Sequence, residues 1–229
     1  VRFRFDSEIE CKNVLLAFEE ACEIDFNGKK ADMTPCGTYV DHSIKTVRLP
    51  DIIKGENVLT VTVPFTPRCG LEAMYLLGDF GVKLKGTKAS ITSREKDIGF
   101  SSITNQGLPF YGGNITYKVK VDTPDCDLCV HASRYAGALV KVAFDGKDCG
   151  KIVYAPSKLD IKDVKSGKHE IEFTVCGNRY NTFGALHDCS HSRWAGANMW
   201  SERGENWCYE YCVKDTGLLA SPVIEIIEK

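Results

Sequence analysis

Aromatic and hydrogen-bonding side chains are concentrated in one stretch of the sequence, residues 178–211, which contains all 3 tryptophans of the chain. Indole rings pack well against the C–H faces of sugar rings, and imidazole, guanidinium and carboxylate groups hydrogen-bond to sugar hydroxyls. The stretch therefore predicts a carbohydrate-binding site. Its candidate residues are three tryptophans and three polar neighbours: Trp194, Trp200, Trp207, His187, Arg193 and Glu205.

Two structural interpretations of the same stretch stay open beside the binding one, and together we weigh them above it. Residues 178–211 show little strand alternation, which predicts a long irregular loop. The tryptophans then serve either to anchor that loop on the rest of the protein, or to pack against a neighbouring domain outside this chain. Tryptophan and arginine are also frequent energetic centres of protein interfaces, which suits docking on a catalytic domain.

Carboxylates that could support glycoside hydrolysis occur, but their sequence positions do not define a pair. Such enzymes need two carboxyl groups about 5–5.5 Å or about 6.5–9.5 Å apart. Glu72 and Asp79 lie close together in the sequence, and Glu205 lies near the tryptophans. We expect Glu72 to be buried in a structural ion pair. No serine-nucleophile or phosphate-loop motif is present, so we assign no catalytic residue.

Metal-ligand spacings are present without a complete set. Cys126-x-x-Cys129 has the spacing of a zinc knuckle, and His187-x-x-x-His191 brackets Asp188 and Cys189. A structural zinc site needs four ligands, with a second pair in register, so we assign no metal ligand and no cofactor. The candidate ion we keep open is a structural calcium, bound by the aspartates Asp122, Asp125 and Asp127.

The elements that must position these residues are strands. Apolar and polar residues alternate with a period of two through residues 58–63, 115–121, 139–144 and 170–175, and β-branched and aromatic residues dominate there. Asn27-Gly28 and Asp145-Gly146 predict hairpins, because both residues of a type I′ turn need positive φ. We also expect strands through most of residues 71–82 and around Cys208 and Cys212. The fold class is therefore all-β.

An internal repeat divides the chain into two units. Each hairpin is followed by a Lys-Gly or Lys-x-Gly turn into a strand, first at Gly55 and again at Gly167. Two such matches in the same order predict a first unit at residues 1–90 and a second at residues 91–229. The second unit carries the long tryptophan-rich loop.

Composition limits the classes of partner and the compartment. Lys and Arg number 29 against 31 Asp and Glu, which gives a net charge of -2 and argues against nucleic-acid binding. No apolar run reaches the roughly 18 residues of a membrane helix, so we expect no membrane partner. The odd number of cysteines, 11, favours free and buried thiols in a cytoplasm. The start at Val1 suggests a piece of a longer protein.

The hairpin-and-strand pattern resembles the sugar-binding jelly-roll domains of bacterial glycoside hydrolases, especially those of family 2 and rhamnosidase-type enzymes. The resemblance lies in residues 26–30 with 49–63, and 142–150 with 159–175. The segment Gly55-Glu56-Asn57-Val58-Leu59 matches the family's Gly-x-Asn-x-Leu strand entry. It implies two tandem galactose-binding-like β-sandwiches, with carbohydrate and the catalytic domain of the same bacterial parent chain as partners.

The resemblance implies an accessory, non-catalytic role that shapes or supports the active site of a separate catalytic domain. One alternative is a stand-alone carbohydrate-binding or adhesion module. The other is that the chain is itself a hydrolase, with Glu72 or Glu205 as a catalytic residue. A fold signal of this kind does not choose between them, because one fold carries many functions.

Overall fold

A computed structural model describes residues 1–20, 23–67, 72–190, 200 and 202–227, and within these ranges the chain is almost entirely β-structure. This confirms the all-β prediction. The chain divides into two compact units, Val1–Glu95 (unit 1) and Lys96–Lys229 (unit 2). The predicted boundary at residue 90 lies close to that division, and the assignment of each unit as a separate domain stays a prediction. No helix in the described ranges has the length and apolar character needed to cross a membrane.

Unit 1 is built from two sheets. One has the order β4-β3-β7-β1-β10-β9 and the other β5-β6-β2-β8. All strand pairs are antiparallel except β1 with β10, which is parallel. The core between them contains Leu16, Phe26 and Ile52, which are all fully buried. The strands are β1 (Arg2–Ser7), β2 (Leu15–Phe18), β3 (Glu23–Phe26), β4 (Lys29–Lys30), β5 (Gly37–Tyr39), β6 (Asp41–Arg48), β7 (Gly55–Thr62), β8 (Tyr75–Leu77), β9 (Gly81–Lys85) and β10 (Lys88–Thr92).

Unit 2 contains three antiparallel sheets, ordered β11-β17-β14-β15, β16-β12-β19 and β13-β18. Leu128, Ile171 and Phe173 lie at the centre of its core. A 3-10 turn (Ile103–Asn105) and one helix, α1 (Tyr180–Phe183), complete the described part. The strands are β11 (Ile115–Thr123), β12 (Cys126–His131), β13 (Tyr135–Ala136), β14 (Leu139–Phe144), β15 (Lys147–Ile152), β16 (Lys158–Val164), β17 (Gly167–Cys176), β18 (Gly217–Leu218) and β19 (Val223–Ile227).

The two predicted hairpin turns are confirmed by their backbone angles. Asn27 and Gly28 have φ of 52° and 78°, and Asp145 and Gly146 have φ of 48° and 77°. Positive φ at both central residues defines the type I′ turn, which Asn, Asp and Gly adopt at low cost.

In unit 1 the first hairpin tip is fastened to the start of β7 by two asparagines. The Asn27 Nδ2 donates to Asn57 Oδ1 at 2.9 Å, and Asn27 Oδ1 accepts from the Val58 amide at 2.8 Å. The fully buried Asn57 also bonds both backbone groups of Ile53 and the carbonyl of Gly55. The asparagine of the Gly-x-Asn motif therefore satisfies backbone groups of the turn that precedes β7.

Unit 2 repeats this fastening with different side chains. His169 Nδ1 donates to Asp145 Oδ2 at 2.7 Å, and its Nε2 donates to the Lys165 carbonyl at 2.8 Å. Asp145 Oδ1 accepts from the Glu170 amide at 2.9 Å. These bonds correspond to those of unit 1. His169 bonds the carbonyl four residues before it, as Asn57 bonds that of Ile53. Asp145 accepts from the amide of Glu170, as Asn27 accepts from that of Val58. The repeat seen in the sequence is thus a repeat of one hydrogen-bonded arrangement, which we call the strand lock.

Three predictions about local structure need correction. The stretch 71–82, expected to be mostly one strand, contributes β8 and the start of β9 with a bend between them. Residues 208–212 form no strand, because their backbone bonds go to a distant segment rather than to a sheet edge. Of the nine described cysteines, which are all free thiols, only Cys11, Cys126 and Cys129 are buried. The expected burial is therefore wrong for most of them.

Candidate functional site

The tryptophan-rich segment of unit 2 follows β17 directly and is fastened at both of its ends. In α1, Thr182 Oγ1 donates to the Phe110 carbonyl at 2.9 Å. Asn181, which is buried, donates through Nδ2 to the Lys214 carbonyl at 2.7 Å and accepts from the Lys214 amide at 2.8 Å. The Asn181 side chain thereby satisfies both backbone groups of Lys214 and joins the two ends of the segment.

Within the segment, two short stretches pair in an antiparallel manner. Cys208 N donates to the His187 carbonyl at 2.9 Å, and Cys189 N donates to the Asn206 carbonyl at 2.7 Å. Asp188 and Trp207 lie opposite each other between these bonds. The pairing converts an irregular segment into a fixed platform for the side chains of Trp207 and its neighbours.

Four rings form a continuous row on this platform, which we call the aromatic cluster: Tyr209, Trp207, His187 and Tyr211. Tyr209 packs edge-on against Trp207, with ring centroids 4.4 Å apart. Trp207 and His187 are 6.2 Å apart, and His187 and Tyr211 are 4.9 Å apart. Tyr211 continues the row to Phe110 at 5.5 Å. The row therefore runs from a ring packed on the body of unit 2 to Tyr209, which is 74% exposed.

His187 has a defined tautomer within the aromatic cluster. Its Nδ1 lies 3.1 Å from the Glu210 carbonyl oxygen, which can only accept a hydrogen bond. The hydrogen of the neutral ring is therefore on Nδ1, and Nε2 is left as an acceptor. A partly exposed imidazole held in this way can receive a hydroxyl hydrogen from a ligand that covers the neighbouring rings.

Three thiols, Cys189, Cys208 and Cys212, interact with one another in the same segment. Cys208 Sγ is 3.4 Å from Cys212 Sγ, and Cys189 also interacts with Cys208. Burial, followed by the hydrogen bond from Cys208, raises the pKa of Cys212 to about 11. Burial also raises the pKa of Cys189. A raised pKa disfavours the nucleophilic thiolate, so Cys189 and Cys212 act here as small apolar packing groups.

The structure brings together two of the six predicted binding residues. His187 and Trp207 belong to the aromatic cluster. Trp200 is 54% exposed, and Glu205 is exposed, with its backbone carbonyl accepting from Cys189 Sγ. Trp194 and Arg193 lie outside the described residues. All six assignments remain predictions.

Sequence reasoning missed Tyr209 and Tyr211 as members of the site. The signal was present, because Trp207, Tyr209 and Tyr211 alternate with a period of two. We interpreted that alternation as a strand instead. In the structure the alternate residues lie in one row without sheet pairing.

The surroundings of Glu72 and Asp79 differ from those expected from the sequence. Glu72 is exposed, so its expected burial in an ion pair is wrong. Asp79 pairs instead with Arg94 at 2.9 Å on the surface of unit 1. A shallow charged depression on unit 2 includes Asp145 and His169, but these side chains form the strand lock and bond to each other. Its polar groups therefore serve the fold.

Two of the aspartates proposed for calcium have backbone partners. Asp125 Oδ1 accepts from the Ser166 amide at 2.8 Å, and Asp127 Oδ1 accepts from the Asp163 amide at 2.9 Å. Asp127 also forms an ion pair with Lys162 at 3.1 Å. These bonds fasten the end of β16 and the turn that follows it to the start of β12.

Comparison with known proteins gives distant structural neighbours. No family model and no curated protein matches the sequence. The rhamnosidase from Novosphingobium sp. PP1Y is similar over 97% of this chain and 22% of its own, at 17% identity and a TM-score of 0.40. A family GH2 beta-galacturonidase from Eisenbergiella tayi, bound to galacturonate, is similar over 51% of this chain and 21% of its own, at 19% identity and a TM-score of 0.33. The chain thus spans about a fifth of the length of these two glycoside hydrolases.

Proposed function

We propose that this chain is an accessory, non-catalytic region of a bacterial glycoside hydrolase, and that its aromatic cluster, together with Trp200, contacts carbohydrate. The catalytic domain belongs to the same parent chain and is the second partner. The proposal combines the resemblance of the repeated hairpin-and-strand motif to sugar-binding jelly rolls with the geometry of one side-chain row in unit 2.

The observation that carries the proposal is the state of Tyr209, which is exposed yet already held in place. Its ring is 74% exposed, while one edge is packed on Trp207. An aromatic ring that is ordered before binding loses little conformational entropy when a sugar covers it. His187 Nε2, two rings further along the row, supplies a hydrogen-bond acceptor of the kind that orients a sugar hydroxyl.

The non-catalytic part of the proposal rests on the carboxylates. Hydrolysis needs an acid and a second carboxylate at a set distance. Glu72 and Glu205, our two catalytic alternatives, belong to different compact units. The described contacts of the aromatic cluster are contacts between rings and the hydrogen bond from His187 to the Glu210 carbonyl, which suit binding.

The test is titration of the purified chain with a panel of neutral and uronate-containing oligosaccharides, followed by calorimetry and tryptophan fluorescence. A sugar face that covers about 60 Å² of Tyr209 contributes roughly 1.5 kcal/mol at about 25 cal/mol/Å². Tyr209→Ala should therefore weaken binding about tenfold. Trp200→Ala should weaken it by a similar factor if both rings meet the same oligosaccharide.

The matched control is Tyr154→Ala, since Tyr154 is a tyrosine of the same unit, 85% exposed and outside the aromatic cluster. It should leave oligosaccharide binding unchanged. If no oligosaccharide binds, or if Tyr209→Ala and Tyr154→Ala bind equally well, carbohydrate contact by the cluster is refuted. A large loss of stability in Trp200→Ala without any glycan binding would favour anchoring of the loop instead.

A further inference from the structure

A second group of chemically active side chains lies on the three-stranded sheet of unit 2, away from the aromatic cluster in sequence. β12 is the central strand, with β16 on one side and β19 on the other. Cys129 and His131 are two residues apart on β12 and therefore share one face. Glu225 of β19 is paired directly with Cys129. Leu128 and Val130 occupy the opposite face, in the core.

The three side chains converge on one point. Cys129 Sγ lies 3.4 Å from His131 Nε2, and that same nitrogen lies 3.2 Å from Glu225 Oε2. All three atoms lie within 4.8 Å of one another. We propose that Cys129, His131 and Glu225 bind a zinc ion.

The separations of His131 Nε2 from Cys129 Sγ and from Glu225 Oε2 match the edges of a zinc coordination tetrahedron. With bond lengths of about 2.3 Å to sulfur, about 2.05 Å to nitrogen and about 2.1 Å to oxygen, tetrahedral angles put sulfur and nitrogen about 3.5 Å apart. They put nitrogen and oxygen about 3.4 Å apart. A thiolate, an imidazole and a carboxylate form a mixed ligand set that suits zinc better than the oxygen-preferring Mg²⁺ or Ca²⁺.

Hydrogen bonds satisfy these groups in the metal-free chain, and zinc binding replaces them. His131 Nε2 faces Cys129 Sγ and Glu225 Oε2, and its N–H can donate to the carboxylate. Asp160, which is paired with Cys129 on β16, is a further hydrogen-bond partner of the thiol. A catalytic Cys-His-Glu triad would use the two different ring nitrogens, so it does not fit.

An ion can reach the group from solvent. Cys129 is 3% exposed, whereas the side chains of His131 and Glu225 are 27% and 58% exposed. Binding forms three bonds from the protein to zinc and displaces water from the hydrated ion. The thiol proton of Cys129 passes to the buffer, and the fourth coordination position keeps a water molecule.

The test is titration of the metal-free chain with Zn²⁺ by calorimetry, and with Co²⁺ by absorption, where a thiolate-to-cobalt charge-transfer band reports the sulfur ligand. His131→Ala and Glu225→Gln should each weaken this site more than about tenfold, since even loss of a partner outside the ligand shell costs about 10–100-fold. Cys129→Ser should abolish the charge-transfer band of this site. Glu225 is exposed, so Glu225→Gln gives a readout even if Cys129→Ser fails to fold.

The controls are a thiol and an imidazole outside the group, Cys149→Ser and His42→Ala, which should bind zinc like the unaltered chain. The thiols Cys189, Cys208 and Cys212 can take up metal on their own, and binding there is insensitive to Glu225. The proposal is overturned if the chain binds no zinc, or if His131→Ala and Glu225→Gln keep the affinity and stoichiometry of the controls.

Discussion

The strand lock of unit 1 allows a sharp test, because a single buried side chain makes most of its bonds. Asn57→Ala removes four hydrogen bonds, to Ile53 N, Ile53 O, Gly55 O and Asn27 Nδ2. No other change in the strand is involved, since Ala is accepted in the backbone conformation of β7. The turn that precedes β7 loses its fastening, whereas the hairpin tip at Asn27 loses one bond and keeps its bond from the Val58 amide.

The size of the effect follows from these bonds and their exposure. Net contributions of about 0.5–1.5 kcal/mol per bond give roughly 2–6 kcal/mol for four bonds. Ile53 and Gly55 are exposed, so water replaces part of what their backbone groups lose. We therefore expect a loss of about 2–3 kcal/mol in the free energy of unfolding. For a unit of this size, that lowers the melting temperature by roughly 10–20 °C.

Urea unfolding followed by circular dichroism measures this loss, with the midpoint lowered and the slope unchanged. Thr60→Ala, at a half-buried polar position of the same strand, is the control and should cost less than about 1 kcal/mol. Asn57→Asp should cost at least as much as Asn57→Ala, because it loses both donors and buries a charge. A loss below about 0.5 kcal/mol in the free energy of unfolding of Asn57→Ala would show that the strand lock does not stabilise unit 1.

Two further predictions concern unit 2. The hydrogen bonds to Asp145 and the Lys165 carbonyl raise the pKa of His169, and the Glu170 amide, followed by His169, lowers the pKa of Asp145. The lock should therefore stabilise fully between about pH 4 and pH 6.5 and weaken as pH rises through the folded pKa of His169. NMR titration should show that Asp145→Asn lowers the pKa of His169, and an unchanged pKa would contradict the pairing. Gly177→Ala should destabilise by about 1–3 kcal/mol in thermal unfolding, since its Cβ would collide with the backbone of Gly113, whereas Gly99→Ala, with its nearest neighbour at 3.7 Å, should be mild.

The parts of the fold that the sequence predicts correctly have local causes. Asn27-Gly28 and Asp145-Gly146 form turns because of the φ values that these residue types adopt, and no distant contact is needed. The spacing from each hairpin to Gly55 or Gly167 revealed the repeat. In the structure, a hydrogen bond joins each hairpin tip to the start of the strand that follows the glycine. This non-local bond could not be predicted from the sequence.

The candidate sites were harder to predict because strand register and non-local pairing determine them. Cys126-x-x-Cys129 looked like a ligand pair, yet the two thiols have different surroundings, Cys126 in the core and Cys129 beside His131 and Glu225. Glu225 joins the group through register alone, far along the chain. Likewise, residues 187–189 pair with residues 206–208 across a segment that shows no strand periodicity. No sequence pattern therefore predicted that His187 would lie beside Trp207 and Tyr209.

The site segment separates the groups that hold it from the groups that face solvent. Its fastening depends on Asn181, Thr182 and the backbone bonds between residues 187–189 and 206–208. Among the described contacts, the exposed ring of Tyr209 takes no part in that fastening beyond its edge contact with Trp207. Removing this ring should therefore change ligand contact without unfolding the segment, whereas removing Asn181 should loosen the whole platform. This division of labour is expected of a binding surface, since a loop whose rings served only as anchors would bury them.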